Sequence, residues 1–205
     1  MTEALLRGNG VGLVRERALA ARVQAGLSRL YFLDGAPDVR DFLSAAGEGE
    51  REVLLVREDS EGLAVELKVP ALDGDLDSLC QLIEGVSHYV YLAHRAQGDR
   101  STTALEMELQ AEVDKYVVLA TSLGSLDVSR SSRLRERLFA DVRFTHDEDT
   151  ELGERYRVAN RVASRFVEGL ERRYVARGEF GELRDALRRF FHVGQSEKMH
   201  LAAAR

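Results

Sequence analysis

The chain has little of several residue types that mark particular classes of protein. Its 205 residues include one cysteine, Cys80, two prolines and no tryptophan. A single cysteine cannot form an intramolecular disulfide, which excludes a small disulfide-stabilised secreted domain. The sequence also lacks a signal-peptide pattern at its N-terminus and any run of about 18 apolar residues. These absences predict a cytoplasmic protein that does not cross a membrane.

The composition that remains is typical of a folded globular domain. Hydrophobic residues make up 44% and charged residues 31% of the chain, with both signs interspersed and a net charge of −6. The charge is uneven, since residues 1–125 carry 12 basic and 21 acidic side chains, against 17 basic and 14 acidic side chains in residues 126–205. This asymmetry suits docking onto another protein or a second copy, but it is too weak to favour nucleic acid as a partner.

The first third of the chain contains both helix and strand patterns. Residues 13–33 place apolar side chains at the spacing of an amphipathic helix, although residues 30–33 could instead form a third short strand. Pro37 fits the first turn of a short helix that continues through Leu43. Residues 51–69 are predicted to form a β-hairpin, because the pattern changes there to alternation. Its apolar positions are Leu63, Val65, Leu67 and Val69.

From residue 76 onward the apolar spacing is helical throughout. The predicted helices span 76–96, 103–122, 129–143, 150–176, 179–192 and 196–204. The predicted fold class is therefore α+β, predominantly α-helical, with six to seven helices and one β-hairpin. Nothing marks an internal repeat or a linker, so we expect one domain over residues 1–205. A subdivision into 1–124 and a basic helical part at 125–205 is the alternative.

Two pairs of polar residues suggest a metal site. Glu84 and His88 are one helical turn apart, and Glu108 and Glu112 repeat that spacing in the next helix. If the two helices form an antiparallel hairpin, His88 comes within reach of Glu108 or Glu112. Carboxylate and imidazole ligands between antiparallel helices hold metal ions in helix bundles. Angular positions weaken the hypothesis, because at about 100° per residue His88 lies away from the apolar stripe and is predicted to face water.

A second set of residues suggests an interaction surface. Leu92 and Val118 lie opposite the main apolar stripes of their helices, and such side chains need cover from another element or a partner. The helix predicted at 150–176 has an arginine face formed by Arg157, Arg161, Arg165 and Arg172.

Three functions remain open at this stage. We favour a non-catalytic binding or regulatory protein that uses a helical surface to contact a protein partner or itself, as a homodimer, and that has no cofactor. A metal-dependent enzyme with a divalent metal bound by the Glu/His set is the first alternative. A nucleic-acid-associated protein that uses the arginine-rich C-terminal helices is the second. No sequence motif identifies a reaction.

Overall fold

The computed structural model describes residues 13–59 and 62–204, and within them the fold is α+β and mostly helical. The fold has seven α-helices and a small three-stranded sheet that packs on α2, and two short 3-10 helices lie at Val39–Asp41 and Val175–Arg177. The helices are α1 (Val14–Tyr31), α2 (Leu76–Gln97), α3 (Ala104–Ser122), α4 (Val128–Phe139), α5 (Glu151–Arg173), α6 (Phe180–His192) and α7 (Gln195–Ala203). The predicted fold class is confirmed, and from residue 76 onward most predicted helices begin and end close to the observed ones.

The sheet contains the predicted hairpin and one further strand. Its strands are β1 (Leu43–Ala45), β2 (Val53–Asp59) and β3 (Gly62–Val69), in the spatial order β1-β3-β2. Strands β2 and β3 are antiparallel, with Val53 opposite Lys68. Strand β1 adds in parallel on the other side of β3. The third strand gives the hairpin the additional cover that an isolated pair of strands needs in water.

Between residues 30 and 45 the structure excludes one alternative and shows that one prediction was wrong. Residues 30–33 do not form the third strand, because Tyr31 continues the buried stripe of α1 one turn after Leu27. The helix ends at Phe32, which is 70% exposed and has a left-handed backbone with φ of 55°. The helix predicted from Pro37 to Leu43 is only the short 3-10 turn, and β1 follows it. Residues 43–45 are extended because they form hydrogen bonds to the edge of β3, and the local spacing of apolar residues does not indicate such a distant partner.

Helices α2 and α3 form the centre of the molecule. Helix α2 packs against α1, α3 and β3, and α3 packs against α2, α4 and α5. Every residue from 81 to 91 and from 108 to 117 is buried. One cluster of buried apolar side chains runs through the molecule and includes residues on both sides of Gly124. Each described helix is too short or too polar to cross a lipid bilayer.

Candidate metal centre

The candidate centre lies where α2 and α3 run antiparallel. Asp75 caps the start of α2 and Thr103 caps the start of α3, each by accepting a hydrogen bond from the backbone N–H three residues later. The caps therefore fix where each helix begins, and a short connection at 98–103 joins the end of α2 to the start of α3. Residues one turn apart on α2 then face residues one turn apart on α3.

Three of the four residues predicted as metal ligands converge. His88 Nε2 lies 3.5 Å from Glu108 Oε2. Glu84, His88 and Glu108 each offer one ligand atom, and these three atoms lie within 4.8 Å of one another. The fourth residue, Glu112, is joined to the group through Lys115, whose Nζ lies 3.0 Å from Glu84 Oε2 and 3.0 Å from Glu112 Oε1.

The prediction that His88 faces water was wrong. Its exposed fraction is 8%, equal to that of Glu108 and Glu112. Angular distance from an apolar stripe indicates solvent only when a helix has one buried side, whereas α2 is covered by α1 and α3 and also by the sheet. Gly85 allows the sheet to pack closely on α2, because a Cβ at this position would lie 2.7 Å from Leu67 Cδ1 of β3.

Four further residues complete the surroundings and were not predicted. Glu52 precedes β2 and reaches the cluster across α2, while Lys115 belongs to α3. Arg155 and Tyr156 come from α5, and the guanidinium of Arg155 lies 3.9 Å from Glu108 Oε1. A sequence signal exists only for Lys115, which is one helical turn from Glu112. The other three arrive through packing of distant elements.

Burial and charge shift the pKa values of the cluster in opposite directions. Burial, together with the charge of Glu84, raises the pKa of Glu52 to about 8. Burial also raises the pKa of Glu112, although Lys115 opposes it. Burial would also raise the pKa of Glu84, but the charges of Lys115 and His88 and the hydrogen bond from Lys115 together lower it. Burial would lower the pKa of His88, but contact with Glu108 and the charges of nearby carboxylates raise it.

The cluster carries fewer positive than negative groups. Its four glutamates, Glu52, Glu84, Glu108 and Glu112, face two permanent cations, Lys115 and Arg155. Two further positive charges are needed for neutrality, since ionised groups in a protein interior must be compensated. The raised pKa values mean that protons can supply them at Glu52, Glu112 and His88. One divalent cation would supply the same charge.

Several buried polar atoms of the cluster lack hydrogen-bond partners. Among the described residues, none donates to or accepts from Glu52 Oε2, Glu112 Oε2 or His88 Nε2. The 3.5 Å between His88 Nε2 and Glu108 Oε2 is too long for a good hydrogen bond. More than nine-tenths of His88 and of Glu112 is buried. Buried polar groups without partners are rare in folded proteins, and unsatisfied ones indicate an ion or water.

The cluster opens on a cleft of about 1000 Å³. Glu52, Glu84 and Glu112 line its inner part, together with Lys115 and Tyr156. The charges of Glu108, Glu84 and Glu52, together with burial, raise the pKa of Tyr156, so its hydroxyl stays protonated near these carboxylates. A small molecule in the cleft would therefore reach groups that could bind a metal.

Comparison with protein-family models, with curated proteins and with solved structures gives no match in any of the three. Function is therefore inferred from the site itself.

The residues predicted to form an interaction surface do not gather into one patch. Leu92 and Val118 are each half-buried within the chain, and Val118 packs against the core. Arg157 donates to the carbonyl oxygen of His146 and lies over the ring of Phe144, which places it beside the cleft. The other three arginines, Arg161, Arg165 and Arg172, are exposed on the outer side of α5.

The opposite side of α3 carries a second buried polar group that is hydrogen-bonded throughout. Asp114 accepts from Tyr31, Ser87 and Gln110. Lys198 Nζ donates to Gln110 Oε1 and to the carbonyl oxygen of Phe190. Burial raises the pKa of Asp114 to about 6 and lowers that of Lys198 to about 7. This network fastens α1 and α7 to the central helices, and each of its side-chain polar atoms has at least one hydrogen-bond partner within the described residues.

Proposed function

We propose that the protein is a divalent-metal-dependent enzyme whose metal ion is bound by Glu84, His88 and Glu108 between α2 and α3. The observation that carries the proposal is the convergence of three buried ligand atoms within 4.8 Å, one of them the unpartnered Nε2 of His88. A set of one imidazole and two carboxylates suits manganese, iron or zinc better than calcium or magnesium, which prefer oxygen ligands only.

The surroundings support a metal with an open coordination position. Glu52 and Glu112 contribute further carboxylate oxygens at the edge of the cleft. Catalytic metal sites use about three protein ligands and leave a position for water or substrate. A bound divalent ion would polarise a substrate group that enters from the cleft, and Tyr156 would offer it a hydroxyl hydrogen-bond donor. This combination of buried ligands and an adjacent cleft favours an enzyme over a purely structural metal.

Metal binding is tested by titrating chelator-treated protein with Mn²⁺ and with Zn²⁺ in a calorimeter. We expect one ion per chain. Replacing His88 with Ala, or Glu84 with Gln, should weaken binding by at least about 100-fold, since loss of an outer hydrogen-bonding partner alone costs 10–100-fold. The matched control is Glu106→Gln, because Glu106 is also a buried glutamate of α3 but contacts Tyr91 and Arg95 outside the cluster.

Proton release gives an independent test. Burial and the charge of Glu84 raise the pKa of Glu52 to about 8, so a metal that displaces the proton of Glu52 should release a measurable number of protons per ion near neutral pH. Titrations in two buffers with different ionisation enthalpies measure this number. Binding without proton release, or binding that is unchanged in both ligand variants, would place the metal elsewhere and refute the proposal.

A non-catalytic binding protein remains the second candidate. It is supported by the charge asymmetry of the chain and by the position of Leu92 and Val118 away from the main apolar stripes of their helices. Self-association as a homodimer and a location in the cytoplasm belong to this proposal and stay predictions. Sedimentation equilibrium at micromolar concentration tests the dimer against a 22.9 kDa monomer.

A further inference from the structure

The cleft beside the acidic cluster has walls of different character. One wall comes from residues 49–53 and the start of α2, with Leu76, Asp77 and Cys80. Another is formed by the end of α4 and the segment that follows, from Arg137 to His146. The carboxylates of Glu52, Glu84 and Glu112 line the cleft opposite this α4 wall; Glu52 precedes β2, Glu84 lies on α2 and Glu112 lies on α3. A ligand in the cleft would thus contact the candidate metal centre on one side and the α4 side on the other.

The α4 wall carries positive charge that the described residues do not neutralise. Arg137 and Arg143 both line the cleft, and neither forms an ion pair with any residue in ranges 13–59 and 62–204. Asp141 is the one acidic side chain of this wall, so two guanidinium groups face one carboxylate. Across the cleft, Arg51 is already paired with Asp77 at 3.4 Å.

The same wall also carries apolar side chains. Leu138, Val142 and Phe144 line the cleft there, and the ring of His146 stacks on Tyr156 at 5.6 Å. Arg157 holds this segment by its hydrogen bond to the carbonyl oxygen of His146 and by its contact with Phe144. The wall therefore presents apolar and aromatic side chains together with the two arginines.

Metal and arginine charges together define the chemistry of the ligand. A divalent ion would neutralise the acidic cluster, which leaves Arg137 and Arg143 opposed only by Asp141, an excess of one positive charge on the α4 wall. Arginine is the side chain best suited to phosphate, because its planar donors match the phosphate oxygens. Metal ions held by a few carboxylates commonly complete their coordination with a substrate phosphate. The volume of about 1000 Å³ accommodates a small molecule larger than phosphate itself.

We infer that the cleft binds a phosphate ester of a small molecule with an apolar or aromatic part, with its phosphate held by Arg137 and Arg143 beside the metal centre. The inference rests on the proposed function for the metal side and on the α4 wall for the phosphate and apolar sides. The phosphate group is anchored by charge, and the remainder of the ligand packs against Leu138, Val142 and Phe144.

Binding of two probes tests this inference on zinc-loaded and on chelator-treated protein. Inorganic phosphate reports the anion site alone, and phenyl phosphate adds an aromatic group. We expect phenyl phosphate to bind more tightly than phosphate. The double variant Arg137→Gln/Arg143→Gln should weaken both by at least about tenfold, because a charge-assisted contact contributes on that order. The matched control is Arg161→Gln/Arg165→Gln, which removes the same charge from the outer side of α5.

Cys80 locates the binding site, since it lines the cleft and is the only cysteine of the chain. Burial raises the pKa of its thiol to about 11, so alkylation by iodoacetamide is slow and easily followed. Phenyl phosphate should slow it further.

The outcomes separate this inference from the proposed function. Arginine-dependent binding of phenyl phosphate without any metal binding would support the phosphate site and refute the metal enzyme. Metal binding with no affinity for either probe would leave the metal centre standing and overturn the phosphate site. The phosphate site would also be overturned if the Arg137→Gln/Arg143→Gln variant bound phenyl phosphate as tightly as its control, or if phenyl phosphate left the rate of Cys80 alkylation unchanged.

Discussion

The raised pKa of Glu52 makes a quantitative prediction about stability and pH. In the folded protein the pKa of Glu52 is about 8, against 4.5 for the ordinary side chain. Between these two values the folded state holds a proton that the unfolded state has lost. The free energy of unfolding must then fall as the pH rises through this window, by about 1.4 kcal/mol per pH unit for one proton.

The raised pKa of His88 acts in the same direction. Its stabilising contribution is present below the pKa of a free histidine and is lost as the pH rises through the folded value. The variant Glu52→Gln keeps the shape of the side chain but cannot ionise. We therefore expect it to remove the contribution of Glu52 and also the part of the His88 shift that the charge of Glu52 causes. From about pH 5.5 to 7.5 the wild type should lose roughly 2 to 3 kcal/mol relative to the variant.

Urea denaturation followed by circular dichroism, in the presence of a chelator, measures this difference. Titrating groups that do not interact with Glu52, such as Asp114, are common to both proteins and cancel when the two curves are subtracted. Glu154→Gln on the exposed side of α5 is the control and should run parallel to the wild type. Parallel curves for Glu52→Gln and the wild type would refute the argument that Glu52 is buried and protonated. Saturating Mn²⁺ should reverse the wild-type slope, because metal binds the deprotonated cluster.

Three further predictions concern the scaffold. A Cβ at Gly153 would lie 1.9 Å from the carbonyl oxygen of Asp147, so Gly153→Ala should cost about 2 to 4 kcal/mol of unfolding free energy; an unchanged urea midpoint would contradict the contact. Asp114→Asn removes an acceptor that Tyr31 and two other donors share, and it should destabilise the fold by about 2 to 3 kcal/mol in the same assay. If the protein forms a dimer through α2, Leu92→Glu should abolish it in sedimentation equilibrium, and a dimer that survives would exclude that interface.

Most helices could be predicted because their signal is local. From residue 76 onward each helix carries an apolar stripe that repeats every turn, and Asp75, Thr103, Asp127 and Thr150 cap four of their starts. The hairpin could be predicted equally well, since alternation of apolar and polar residues identifies a strand that has one covered face. The errors fell at residues 30–45, where the conformation depends on hydrogen bonds between β1 and β3 that are distant in sequence.

The candidate site was only partly predictable. Spacing within two neighbouring helices was enough to bring together Glu84, His88, Glu108 and Glu112. The predicted exposure of His88 was wrong, because the apolar stripe of α2 shows one buried side, whereas α1, α3 and the sheet cover this helix on several sides. Glu52 could not be found from the sequence, since its approach to His88 depends on how closely the sheet packs at Gly85.

The Asp114 network and the acidic cluster lie on opposite sides of α3 and differ in how fully their polar atoms are hydrogen-bonded. Asp114 is buried completely, yet three donors satisfy it and Lys198 lies nearby. The fold can thus satisfy a buried carboxylate when its role is to hold helices together. On the other side, unpartnered atoms remain on Glu52, Glu112 and His88, beside a cleft. Such atoms cost stability unless something binds them. A cluster kept in that state next to an open cleft is better explained by a bound cation than by packing.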